Sequence, residues 1–226
     1  MWTGKIVRKL DFPGIIGINL TISPDGERLA LTVVMSNTVQ LRDSSSGTIL
    51  RVFTATVSDM TSVAFSPDGR LLAAGSWEPY EDMKQTDDSV WLWDVASGQL
   101  LRRFGAEGGY PATLDLTFSP DGSLLATASR VRQVQLWDPG TGKLLYTLKG
   151  GGYTVVFSPD GRLLASGDLF YDGINAQLWD PRTGKLLQML KGHTEGPVNI
   201  AFSPDGRALA TGAGDGTVRL WGVPAQ

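Results

Sequence analysis

The tetrapeptide Ser-Pro-Asp-Gly occurs five times in this chain of 226 residues, beginning at Ser23, Ser66, Ser119, Ser158 and Ser203, with steps of 43, 53, 39 and 45 residues. A unit of that length cannot bury a core of its own, so its copies must stack and share one. It has room for four short strands and their turns. A second landmark runs in phase with the first: Val90-Trp91-Leu92-Trp93-Asp94, Val134-Gln135-Leu136-Trp137-Asp138, Ala176-Gln177-Leu178-Trp179-Asp180 and Val218-Arg219-Leu220-Trp221-Gly222, with Val39-Gln40-Leu41-Arg42-Asp43 as a degenerate first copy. A third follows it, Ser46-Gly47, Ser97-Gly98, Thr141-Gly142 and Thr183-Gly184, each introducing an apolar run such as Lys143-Leu144-Leu145.

Three landmarks in fixed order give the chain a resemblance to the WD-repeat proteins over nearly its whole length. The resemblance implies an all-β fold, a single β-propeller domain over residues 1–226 built of four-stranded antiparallel blades. The residues lead to the same architecture. Counting back from the residue before each tetrapeptide (Ile22, Phe65, Phe118, Phe157, Phe202), the second position is again apolar: Leu20, Val63, Leu116, Val155, Ile200. That is the period of a strand. Proline presets the first corner of the turn and glycine accepts positive φ, so the chain doubles straight back into the next strand. The next strands, such as Leu71-Leu72-Ala73-Ala74 and Leu163-Leu164-Ala165-Ser166, are continuously apolar, as expected of strands covered on both faces. The tryptophan of the third strand is expected to fill the gap between blades, and Arg42 forfeits much of that in the first repeat.

The ends are out of phase in a complementary way. Thr3 to Leu10 matches Thr141 to Leu148, so the chain starts on a fourth strand, whereas after Trp221-Gly222 only four residues remain. The N-terminal strand is therefore expected to complete the last of five blades and to remove two exposed sheet edges. Seven blades are usual in the family. Whether the chain is a piece of a longer protein, closes on itself as a monomer or pairs with another copy stays open on the sequence.

Composition excludes much chemistry. There is no cysteine and one histidine, which removes thiol nucleophiles, disulfides and cysteine-ligated metals and leaves little for histidine-based metal or acid-base sites. Twenty basic against 23 acidic residues is too even a balance for a nucleic-acid or anionic-membrane surface. The first twenty residues carry Lys5, Arg8, Lys9, Asp11 and Pro13, and no run approaches an apolar membrane span. A soluble, cytoplasmic chain with no nucleic-acid or membrane partner is expected. No cofactor is expected either. Gly150-Gly151-Gly152 lacks the Lys-Ser or Lys-Thr of a phosphate cradle, and Asp25, Asp68, Asp121, Asp160 and Asp205 are turn formers without the spacing of a calcium loop.

Two sites remain to be weighed. The first-strand positions expected to line a channel read Asn19, Ser62, Asp115, Thr154 and Asn199. Glycosidic hydrolysis needs two carboxylates flanking one bond, and this ring offers one, Asp115, with Asp59 or Glu195 as partners from the rim. That gives the rival reading of a propeller hydrolase or small-ligand site. The resemblance also implies a structural hydrogen-bond network for His193, matched by motif to Thr211, Asp215 and Trp221.

The leading functional expectation is a non-catalytic scaffold that binds a protein or peptide at one loop face, the end where the family usually binds partners. Two loops there are enlarged. Trp77 to Asp88 accounts for the 53-residue step, and Asp168 to Gly173 repeats its mixture of aromatics and acids. Trp77, Tyr80, Tyr110, Tyr153, Phe170 and Tyr171 are the candidate contact residues, being large side chains of the kind enriched in interface hot spots. Their acidic surroundings point to a partner with basic and apolar groups.

Overall fold

The computed structural model describes residues 9–12, 19–33, 35–56, 59–77, 90–105, 112–130, 132–167 and 175–223. All regular structure among them is β, in five antiparallel sheets. The first is β1 (Leu20–Ile22), β2 (Arg28–Thr32), β3 (Thr38–Asp43) and β4 (Ile49–Thr54); the second is β5 (Asp59–Phe65), β6 (Leu71–Trp77), β7 (Val90–Asp94) and β8 (Leu100–Phe104). The third holds β9 (Thr113–Phe118), β10 (Leu125–Ser129), β11 (Gln133–Asp138) and β12 (Lys143–Lys149), and the fourth β13 (Thr154–Phe157), β14 (Leu164–Gly167), β15 (Ala176–Asp180) and β16 (Lys185–Leu190). The fifth has β17 (Pro197–Phe202), β18 (Ala208–Ala213) and β19 (Val218–Gly222) among the described residues. The strands of each sheet pair in chain order, so one repeat is one sheet. Lys5 to Arg8, the body of the expected closing strand, lie outside the described residues.

The Ser-Pro-Asp-Gly turn is one hydrogen-bonded device made five times. Its serine hydroxyl accepts the amide of the residue five positions on, Arg28, Leu71, Leu124, Leu163 or Ala208, at 2.9 Å. In the last four repeats the same hydroxyl donates to the aspartate carboxylate at 2.6 Å. The aspartate also accepts the amide two residues on, as in Arg70 and Arg162 at 3.0 Å. The glycine sits at φ between 70° and 76° in all five, the left-handed region that side chains disfavour. These hydroxyl and amide donors, the serine first, hold the turn carboxyls below the usual carboxylate range.

Sheets stack leading face to trailing face. Val63, Phe65, Leu72 and Trp93 of the second share one buried cluster with Ala30, Val39 and Leu41 of the first. The same pattern joins Leu116, Phe118 and Trp137 to Ala73, Val90 and Leu92, and Val155, Phe157 and Trp179 to Ala126, Val134 and Leu136. Leu209, with Ile200, Phe202 and Trp221, then meets Ala165, Ala176 and Leu178. The second strands β10 and β14 are buried on both faces, as their apolar runs require, whereas β18 is buried only at alternate positions. Between the third and fourth strands of the first four sheets the register shifts at one equivalent place, at Leu41/Arg42, Leu92/Trp93, Leu136/Trp137 and Leu178/Trp179.

Arg42, standing where the other repeats carry tryptophan, recovers part of what the substitution loses. Its guanidinium donates to Gln40 Oε1 at 2.6 and 3.0 Å and to the Gly47 carbonyl at 2.7 Å. It also lies 4.4 Å from the centre of the Phe12 ring, within reach of a cation–π attraction.

Candidate functional site

The loops joining second to third strands, and each sheet to the next, gather at the end opposite the Ser-Pro-Asp-Gly turns. Their described parts are tied to one another. Asn37 donates its side-chain amide to the Ala55 carbonyl at 3.0 Å, and the Met60 amide donates to Ser36 at 3.2 Å, fastening the first hairpin to the connection that follows β4. Asp59 accepts the Met35 amide at 3.0 Å. Met35 itself is 89% exposed and held at φ 58°, a costly conformation for a residue with a Cβ. The Asp59 backbone is paired with that of Trp77 at the end of β6, so the Met35 hairpin and the root of the Trp77 loop meet at one strand end.

The second such junction involves the triple glycine. Gly150 donates its amide to the Arg132 carbonyl at 3.0 Å, and a Cβ at Gly152 would collide with the Ser129 carbonyl and the Arg132 backbone. Gly152 is therefore required by close backbone approach between a hairpin and the loop leading into the next sheet. Tyr153 follows, half-buried, its amide donating to Gly167 at 2.9 Å. Of the six residues expected to meet a partner, Tyr153 and the backbone of Trp77 are described. Tyr80, Tyr110, Phe170 and Tyr171 lie outside the described residues.

The third junction carries the chain's single histidine. His193 is buried, its Nδ1 2.9 Å from Asp215 Oδ2 and its Nε2 2.8 Å from the Thr211 hydroxyl. The Trp221 indole donates to the same hydroxyl at 2.9 Å. An ionised Asp215 assigns the proton to Nδ1, so Nε2 accepts from Thr211 and the four groups form one directed chain. Asp215 also accepts from the Thr217 hydroxyl at 2.7 Å and the Thr194 amide at 3.0 Å. Those donors, Thr217 foremost, then Thr194 and His193, hold its carboxyl well below the usual range. A pared-down version recurs where no histidine exists: Trp137 donates to Thr127 at 3.0 Å and Trp179 to Ser166 at 2.9 Å. Sequence reasoning missed that the tryptophan-to-hydroxyl half of the network is independent of the histidine.

The carboxylates weighed for hydrolysis are engaged separately. Asp115 Oδ2 accepts the Val155 amide at 2.9 Å and the Thr154 hydroxyl at 3.0 Å, while Oδ1 accepts the Leu116 amide at 2.9 Å. It joins the first strands of the third and fourth sheets. Burial pushes its carboxyl up, against the opposing pull of those three donors. Asp59 holds Met35, and Glu195 lies against Gly214 in the last sheet. Asp115 and Asp59 serve different junctions, which is unlike two carboxylates sharing one bond. Among the described residues no group of three or more histidine, aspartate and glutamate side chains is placed to hold a metal ion, and no helix is long and apolar enough to cross a membrane.

The family model described as "WD domain, G-beta repeat" matches residues 47–94, 98–138, 142–180 and 184–222. Among curated proteins, the chain is 33% identical over 59% of its length to Periodic tryptophan protein 2 of Arabidopsis thaliana, of which the match covers 14%. It is 29% identical over 69% of its length to an uncharacterized WD repeat-containing protein of Synechocystis, covering 42% of that protein. It is 26% identical over 74% of its length to Pre-mRNA-processing factor 19 of Oryza sativa subsp. japonica, covering 38% of it. The chain thus spans less than half the length of each of these relatives.

Proposed function

Because the chain belongs to the WD-repeat family, whose members generally act as protein-interaction scaffolds, we propose that it is a single-domain, non-catalytic scaffold that receives a protein or peptide on its loop end. The observation that carries this is Met35. An 89% exposed apolar side chain at φ 58°, fixed by Asp59 beside the root of the Trp77 loop, is costly to hold and contributes nothing to the core. The opposite end, by contrast, carries five copies of one turn whose serine and aspartate side chains bond within the turn. The partner presents basic and apolar groups, since Trp77, Tyr80, Phe170 and Tyr171 are interspersed with Glu78, Glu81, Asp82, Asp87, Asp88, Asp168 and Asp172. The test is an array of basic-apolar peptides probed with the wild-type chain and with the triple variant Trp77→Ala, Tyr80→Ala, Tyr171→Ala. Peptides that bind are expected to lose at least ~30-fold in affinity, about 2 kcal/mol, in the variant, and to bind more weakly as salt rises. Equal binding by both chains would remove the loop end from consideration.

A further inference from the structure

Where the third and fourth sheets meet, the outer rim is unlike the rims of the two interfaces before it. A side chain on an outer strand points the same way as its cross-strand partner. Tyr146 is paired with Leu136, which packs toward the fourth sheet, while Leu186 and Met189 are paired with Trp179 and Gln177, on the face turned to the third. The three therefore face one another across the furrow between β12 and β16, and they are 36%, 45% and 39% exposed. At the equivalent positions the first furrow carries Arg51, Leu100 and Arg103, and the second Arg102, Leu144 and Thr147. Of these three furrows the third alone is apolar at every position.

Its charge is also distinct. Lys143 and Lys149 bracket the apolar run of β12, and Lys185 and Lys191 bracket that of β16, with no acid in either strand. At the matching places β4 has Thr48 and Thr54, and β8 has Gln99 and Gly105. All four lysines are exposed, and none is ion-paired among the described residues, whereas Arg28, Arg70 and Arg162 each lie against a turn aspartate. The carboxylates next to Lys143 and Lys185 in the ladder, Asp138 and Asp180, are taken by the hydroxyls of Thr141 and Thr183 at 2.6 and 2.7 Å. Lysine can guard a free edge against strand addition, but β4 and β8 are equally free and carry none at their ends. An exposed apolar surface rimmed by unpaired charge marks an interaction site.

We propose that the furrow between β12 and β16 is a second docking surface, which receives a protein segment whose apolar side chains are flanked at both ends by aspartate or glutamate. Tyr146, Leu186 and Met189 take the apolar anchors. Lys143 and Lys185 hold the acids at one end, and Lys149 and Lys191 those at the other, about 20 Å away along a strand of seven residues. Complementary charge fixes the direction of approach and excludes basic segments. The apolar groups face inward across a furrow, which admits a narrow chain and keeps a flat bilayer off them. The site lies on the rim and takes the opposite charge from the loop end, so it stands independently of the loop-end reading.

The test uses the full-length chain and arrayed peptides of about nine residues, enough to span the strand when extended. Each carries leucine, methionine or phenylalanine between terminal pairs of aspartate or glutamate, beside a twin with lysine in place of every acid. Acidic peptides are expected to bind, more weakly as salt rises, and their twins are not. Replacing all four lysines (Lys143→Gln, Lys149→Gln, Lys185→Gln, Lys191→Gln) is expected to cost at least ~10-fold in affinity, and so is the pair Leu186→Thr, Met189→Thr. Leu100→Thr with Leu101→Thr, on the rim of the second sheet, is expected to change nothing. Should the Leu186, Met189 pair lose its β-sheet circular dichroism spectrum, Met189→Thr alone takes its place. Acidic peptides that bind no better than their twins would overturn the proposal. Loss with the lysines but not with the apolar variants would overturn it in favour of unspecific charge attraction. Capture by vesicles of equal parts phosphatidylserine and phosphatidylcholine, with no peptide bound, would overturn it in favour of a membrane surface.

Discussion

Trp221 and His193 are joined through one atom: the indole nitrogen and the imidazole Nε2 both hydrogen-bond the Thr211 hydroxyl, at 2.9 and 2.8 Å. Thr211 is fully buried, so removing its oxygen strands both partners away from water. Thr211→Val is expected to cost about 1–3 kcal/mol in denaturant titrations with the fold retained. Adding His193→Ala should cost less than the sum of the two single changes, because both remove the same chain of bonds.

The turn aspartates favour the folded chain above their folded values. Their carboxyls are depressed in the folded chain, so what they contribute is fully present above the ordinary unfolded value near ~3.9 and is lost as pH falls through the folded values. Asp215 has the same sign. Thermal stability is expected to be insensitive to these groups from neutrality down to about pH 5 and to fall below about pH 4. Asp160→Asn should flatten that fall, as measured by melting across a pH series.

Asp115 has the opposite sign. Its carboxyl is raised in the folded chain by burial, so its ionised form opposes folding above the folded value, and acidification toward the unfolded value relieves that cost. The bonds it makes still matter. Asp115→Ala leaves the Val155 amide and the Thr154 hydroxyl without their acceptor and is expected to lose about 1–3 kcal/mol at neutral pH, with Asp115→Asn losing less. Chemical denaturation of the three chains side by side measures the difference.

Deleting Met1 to Asp11 removes Leu10 from Gly47 and exposes the first sheet further. Loss of cooperative unfolding or aggregation on heating is expected. A melting temperature equal to that of the intact chain would contradict any closing role for this segment.

Much of the fold was legible because a period is visible without coordinates. Leu20, Val63, Leu116, Val155 and Ile200 fall two residues before equivalent positions, and that alone orients five first strands. The bond of each turn serine to the amide five residues on is not legible in the sequence, since a buried hydroxyl serving an amide leaves no mark in hydropathy. Thr127 stands 10 residues before Trp137, the spacing of Thr211 before Trp221, so that pair is legible in the sequence, whereas a longer hairpin sets Ser166 13 residues before Trp179. Cross-strand register, rather than sequence distance, brings them together. Met35 lies in a hairpin of the first repeat outside the three recurring landmarks, so periodicity could not single it out. Asp115 was placed correctly at a first-strand position, but its orientation toward Val155 depends on how adjacent sheets stack.

The register shift beside Arg42, Trp93, Trp137 and Trp179 has a bearing on solubility. The outer strands display Leu50, Leu101, Leu145 and Leu187 to solvent along a free edge, a combination that in a flat strand would template growth of further chains. One extra residue in the pairing bends and twists the edge strand, breaking the straight row of amides and carbonyls that an incoming strand would need. The irregularity thus makes a rim that carries leucines a poorer template for an added strand.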